Sequence, residues 1–125
     1  YIERYHEFAE YMCGRGYYVV GHDHLGHGKS VVDEAVQKGI LVCAICAGPS
    51  LLGHKGLLKG KHAICYPGFE DALEGAYIAK DYVVADGDFI TAKGAGVSIE
   101  FGLEIVRELV GDEAAETVRS TIQCR

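Results

Sequence analysis

Apolar positions switch repeatedly between helical and strand periods along the chain, and the switches outline its elements. Ile2, Tyr5, Phe8, Ala9 and Met12 recur at helical spacing, and Gly14 and Gly16 end that run. "YYVVG" (Tyr17 to Gly21), rich in aromatic and β-branched residues, reads as a buried strand and leads into the polar loop "GHDHLGHGKS". A short helix is expected around Val32 to Lys38, stopped by Gly39. The continuous apolar run "ILVCAI" (Ile40 to Ile45) then suits a parallel-sheet strand. Pro49 stands where the first turn of the next helix begins, and that helix is expected through Leu52 to about Leu58. "HAICY" (His62 to Tyr66) predicts a third strand, ended by Pro67-Gly68, with a helical turn over Phe69 to Leu73. "YVVAD" and "FITA" flank Gly87 as a hairpin. Ile99, Leu103, Val106 and Val110 form one stripe of a helix from Ser98 to Val110, with Glu100, Glu104, Arg107 and Glu108 towards solvent. Gly111 ends it, and Asp112 is placed to cap a last helix through Ile122.

Strands that alternate with helices, with no repeat and no linker, predict a single α/β domain over residues 1–125. Composition narrows the functional classes. The net charge of −6 argues against a nucleic-acid partner, since backbone binding needs clustered Lys and Arg. No apolar run approaches the roughly 20 residues of a membrane helix, so no membrane association is expected. The five cysteines, Cys13, Cys43, Cys46, Cys65 and Cys124, are odd in number and scattered, which suggests reduced thiols and a cytoplasmic setting.

Two stretches carry candidate chemistry. In "GHDHLGHGKS", Gly28-Lys29-Ser30 matches the end of a phosphate loop, but Asp23 occupies the position of the first glycine and would repel a phosphate. His22, His24 and His27 could ligate zinc, yet alternate residues of an extended segment face opposite ways and no distant ligands complete a set. The favoured reading is a polar turn, with no metal and no cofactor. The second stretch is "ILVCAICAGPSLLG", where Cys46 falls between a buried strand and a helix. The free N–H groups and dipole of a helix start favour negative charge on a thiol, and ligands of open α/β sheets bind beyond the carboxyl ends of strands. The alternative is that Cys46 is a small buried hydrophobe, as most free cysteines are. Cys43, inside the strand, is assigned to the core, and packing accounts equally for Cys65.

Two family resemblances follow from longer stretches. "RYHEFAEYMCGRGYYVVGHDHLGHGKS" resembles an early segment of the α/β-hydrolases of lysophospholipase and monoacylglycerol-lipase type, through Arg4, Tyr5, Gly16, Tyr17, Val19, Asp23, Gly26, His27, Gly28 and Ser30. No G-x-S-x-G nucleophile elbow follows it. From about Asp33 onward, "KGILVCAICAGPSLLGHKGLLKGKHAICYPGFED" and "VVADGDFITAKGAGVSIEFGLEIVRELVG" resemble the C-terminal half of the ThiJ/PfpI family, which includes the parkinsonism-associated deglycase. Together the two imply a hybrid joined near residue 30.

The second resemblance implies a flavodoxin-like three-layer sandwich with a mostly parallel sheet, here in truncated or hybrid form. It implies glyoxalase- or deglycase-type chemistry, or oxidation sensing, with Cys46 as nucleophile and a small aldehyde or glycated compound as substrate; it also allows a homodimer. Where several members carry histidine before the proline, this chain has Tyr66, a candidate pocket residue. Where they carry R-G-P-G, it has Lys93-Gly94-Ala95-Gly96. The family's N-terminal half supplies a glutamate and a glycine-rich loop that no stretch here matches. The Ala47 backbone N–H is the candidate oxyanion donor. If strands 17–21 and 40–45 lie parallel and adjacent, His24 could partner Cys46. The rival readings are a non-catalytic hybrid with a relic cysteine and an α/β-hydrolase-type esterase.

Overall fold

The structure, a computed structural model, describes residues 29–124. The first expected helix, the strand over 17–21, the loop up to Gly28 and its three histidines lie outside the described residues. Two compact units are present, Tyr1–Val42 and Cys43–Arg125.

In the first unit, helix α1 (Lys29–Gln37) starts three residues earlier than its apolar spacing suggests. It ends as expected: Gly39 adopts a positive φ of 68°, which glycine reaches without steric penalty. The Ile40 N–H then returns to the Ala35 carbonyl at 2.9 Å.

The second unit holds the sheet and the site. Strand β1 (Val42–Ile45) runs into helix α2 (Gly48–His54); β2 (His62–Ala63), β3 (Tyr77–Ile78), β4 (Val83–Asp86) and β5 (Phe89–Ala92) follow, then α3 (Ser98–Val110) and α4 (Asp112–Thr121). One sheet has the order β1-β5-β4, and β2 pairs with β3 in a second. All four residues of β5 are buried, as expected of a strand flanked on both edges and covered on both faces. Leu52, Leu58, Ala63, Ile64, Val84 and Leu103 join it in the core.

Among the described residues the strand pairing is mixed. β4 and β5 are antiparallel with Asp86 opposite Phe89, because only Gly87 and Asp88 connect them and a two-residue turn must reverse the chain. Gly87 takes a φ of 60°, the positive value that such a turn needs at its first central position. β2 and β3 are parallel, with His62 opposite Tyr77.

Strand β2 is shorter than the "HAICY" run because its outer edge is satisfied differently. The N–H groups of His62, Ile64 and Tyr66 donate to Asp86 Oδ2 (2.7 Å), Thr91 Oγ1 (3.0 Å) and the Cys46 carbonyl (2.8 Å). On the opposite edge, the carbonyls of Lys61 and Ala63 accept from Tyr77 and Ala79. Two side chains thus stand where a neighbouring strand's backbone would be, and they fasten 61–66 to the main sheet.

Helix α3 has the expected bounds, but its stripe is only partly covered. Leu103 is buried, whereas Ile99 and Val110 are 53% and 72% exposed. Asp112 does not cap α4 from outside; it is the first helical residue, and its carboxylate lies 3.0 Å from Arg107 Nε. Arg107 also bonds Glu104, so the guanidinium clamps the corner between the two helices around Gly111.

Candidate active site

Cys46 follows the last residue of β1 and is separated from α2 by Ala47. Its φ is 64°, in the left-handed region, where a side chain costs about 1–2 kcal/mol. The conformation is held from both sides: the Cys46 N–H donates to the Ala92 carbonyl at 2.9 Å, and its own carbonyl accepts from the Tyr66 N–H at 2.8 Å. The side chain is half-buried at this elbow. Ala47 occupies the N-cap position, and Pro49 lies in the first turn as its fixed φ suits. The Ser50 hydroxyl donates to the Ala47 carbonyl at 2.5 Å and secures the start of the helix.

Two other thiols are disfavoured as nucleophiles. Burial, with the Glu70 carboxylate adding to it, pushes up the Cys65 thiol, whose side chain is fully enclosed. Cys43 was expected in the core but is exposed; even so, the surrounding protein strips enough water from its sulfur to raise its pKa to about 11. Neither is a thiolate at neutral pH.

The Cys46 elbow adjoins an open cleft of about 360 Å³ lined by Tyr66, Pro67, Tyr82 and the loop from Lys93 to Val97. Cys46 is not part of that lining, but both walls attach to it. Tyr66 holds its carbonyl, and Lys93 follows Ala92, which holds its N–H. The Tyr66 side chain is exposed on the cleft and stands edge-on to Phe69. Lys93 Nζ lies 4.9 Å from the centroid of the Tyr82 ring. Of the residues singled out by the sequence pattern, the elbow therefore brings Cys46, Ala47 and Tyr66 together, while His24 is outside the described residues. Tyr82 carried no motif. Its position follows from hairpin register, since Val83 pairs with Ala92 and the next step outward sets Tyr82 against Lys93. Among the described residues no cluster of His, Cys, Asp or Glu is arranged to hold a metal, and no helix is long and apolar enough to cross a membrane.

The described residues thus form an α/β domain in which a half-buried thiol sits on a left-handed strand-to-helix elbow beside an open cleft. The DJ-1/PfpI family model matches residues 23–108, more than half of the sequence, and the chain belongs to that family. It is 41% identical over 83 residues to the Drosophila melanogaster protein DJ-1alpha, covering 65% of this chain and 38% of that protein. It is 37% identical over 84 residues to the Caenorhabditis elegans glutathione-independent glyoxalase DJR-1.2, covering 66% of this chain and 45% of that protein. The crystal structure of Drosophila melanogaster DJ-1beta superposes with a TM-score of 0.70 at 33% identity, covering 77% of this chain and 53% of the other. The chain thus spans about half the length, or less, of these relatives.

These matches support an α/β sandwich with a mixed sheet and flanking helices, and the general assignment to a family with glyoxalase members. They overturn the α/β-hydrolase-like segment and the hybrid. The family match begins at Asp23, inside the histidine-rich stretch, and passes without a break across residue 30. The residues that suggested a hydrolase are mostly those any helix–strand–turn unit uses: glycine after a helix, a β-branched strand residue, glycines in a polar turn. Such a set marks local geometry and not descent.

Proposed function

We propose that this domain carries a cysteine-dependent activity on small 2-oxoaldehydes, of the glyoxalase or deglycase type, with Cys46 as nucleophile. The observation that supports it most is the left-handed backbone of Cys46, pinned by Ala92 on one side and Tyr66 on the other. Strain that the surroundings over-determine is a feature of functional sites, and here it falls on a side chain able to form a covalent bond. The similarity to a glutathione-independent glyoxalase gives the chemistry its direction.

In this reading the Cys46 sulfur adds to the aldehyde carbon. The S–C bond forms as the C=O π pair moves onto oxygen, and the N–H of Ala47, the N-cap residue, is the donor in this reading that meets that charge. Hydrogen transfer within the adduct oxidises the first carbon and reduces the second, so no external oxidant is needed. Water then releases the 2-hydroxy acid and restores the thiol. Tyr66 serves as a wall of the substrate cleft.

Methylglyoxal consumption by the parent and by Cys46→Ser tests the proposal. The parent is expected to consume it and the variant to fall to background; equal rates would mean that Cys46 is a relic.

A further inference from the structure

Lys93 has a role to which the elbow alone does not point. The chain is net negative, yet among the described residues no carboxylate lies within ion-pair distance of Lys93, whereas Arg107 and Lys38 are each paired with one. Its ammonium is instead laid against the Tyr82 ring, 4.9 Å from the centroid. A cation–π contact fixes a lysine side chain without neutralising it, so the charge remains available to a ligand. Lys93 and Tyr82 both line the cleft, and the Lys93 N–H donates to the Tyr82 carbonyl at 2.9 Å, which ties the two backbones as well. The remaining wall is aromatic and aliphatic: Tyr66, Pro67, Ala95 and Val97.

We infer that this cleft is a monoanion subsite, in which Lys93 holds the carboxylate of a small carbonyl acid while its reactive carbon is offered to Cys46. One ammonium with no second cation and no guanidinium fork suits a single carboxylate better than a phosphate dianion. Tyr66 and Tyr82, both in the lining, offer ring surface to a short carbon chain. Ala92 supplies the link in space: it accepts from the Cys46 N–H and is followed directly by Lys93. The subsite rests on Cys46 as the reactive thiol and adds selection of acidic over neutral substrates.

The test reads the thiol's surroundings without turnover, so it stands apart from the methylglyoxal assay. Iodoacetate and iodoacetamide alkylate by the same step, in which an S–C bond forms and iodide leaves, but only iodoacetate carries a carboxylate. Rates at Cys46 are measured for both by peptide mass spectrometry on the full chain, in the parent, Lys93→Met and Lys93→Arg. The iodoacetate-to-iodoacetamide ratio is expected to fall about fivefold in Lys93→Met, as for loss of one partly solvated charge attraction, and to be retained in Lys93→Arg. Added salt should lower the parent's ratio and leave that of Lys93→Met unchanged. An unchanged ratio in Lys93→Met overturns the subsite, even if both rates shift together. So does a Cys46 that neither reagent reaches, because the cleft would then not open onto the thiol.

Discussion

Thr91 is a polar side chain at the centre of a strand with every residue buried, and its hydroxyl accepts the Ile64 N–H at 3.0 Å. Valine would fill nearly the same space and offer no acceptor, leaving a buried N–H unpaired. Thr91→Val is therefore expected to lose about 1–3 kcal/mol in a urea melt, although β-propensity alone would favour the change. A neutral result would mean that Ile64 finds another acceptor. At this scale the sequence was partly legible. Cys46 was marked by the passage from "ILVCAI" to "AGPSLLG", a strand handing over to a helix. Its positive φ was not, because that angle is imposed by Ala92 and Tyr66, each distant in sequence. Thr91 gave no sign of its role either, for a threonine in a strand is ordinary until its partner is known.

Among the elements, α2 shows how packing overrides propensity. A β-carbon on Gly53 would stand 2.1 Å from the Ala72 carbonyl oxygen, so the helix meets the 3₁₀ turn Glu70–Ala72 backbone to backbone. Gly to Ala inside an exposed helix usually stabilises by about 1 kcal/mol. Here the sign is expected to reverse: Gly53→Ala should cost about 1–3 kcal/mol as helix and turn are forced apart, read as a lower midpoint in chemical denaturation. Unchanged or raised stability would show that the turn yields freely. Local signals served best where both partners are close in sequence. The β4–β5 hairpin was announced by Gly87 between two apolar runs, and α3 by its stripe and the terminating Gly111. The parallel pairing of β2 with β3 was not, since Tyr77 and Ile78 carry no periodic pattern and their partners lie 15 residues earlier. The exposure of Ile99 and Val110 was equally hidden, because a stripe records which residues could be covered and not which are.

At the scale of the molecule, the second unit depends on how 61–66 docks, and one of its fastenings is ionisable. The His62 backbone N–H, with its ring Nδ1 second, holds the Asp86 carboxyl below the usual carboxylate range. A carboxylate whose pKa is depressed by folding contributes stability above its unfolded pKa and loses it as pH falls through the folded value. The parent is thus expected to melt higher than Asp86→Asn near neutral pH, with the gap closing as the pH is taken from about 7 to about 3. Thermal melts of both across that range decide it; a constant gap would assign the effect to shape and not to charge. The whole also explains why the first thirty residues misled. The family match begins at Asp23 and continues past residue 30, which leaves no junction there.

The fastening of 61–66 makes this stretch more sensitive to length than to composition. Donors at 62, 64 and 66 face the main sheet and acceptors at 61 and 63 face β3, while Ala63, Ile64 and Cys65 are all buried between exposed His62 and Tyr66. A substitution alters one contact in this hydrogen-bond alternation, but one inserted or deleted residue turns the donors of every later position to the opposite edge. It would also pull Tyr66 away from the Cys46 carbonyl. A change of side chain in this stretch therefore touches one contact, whereas a change in its length undoes all those that follow.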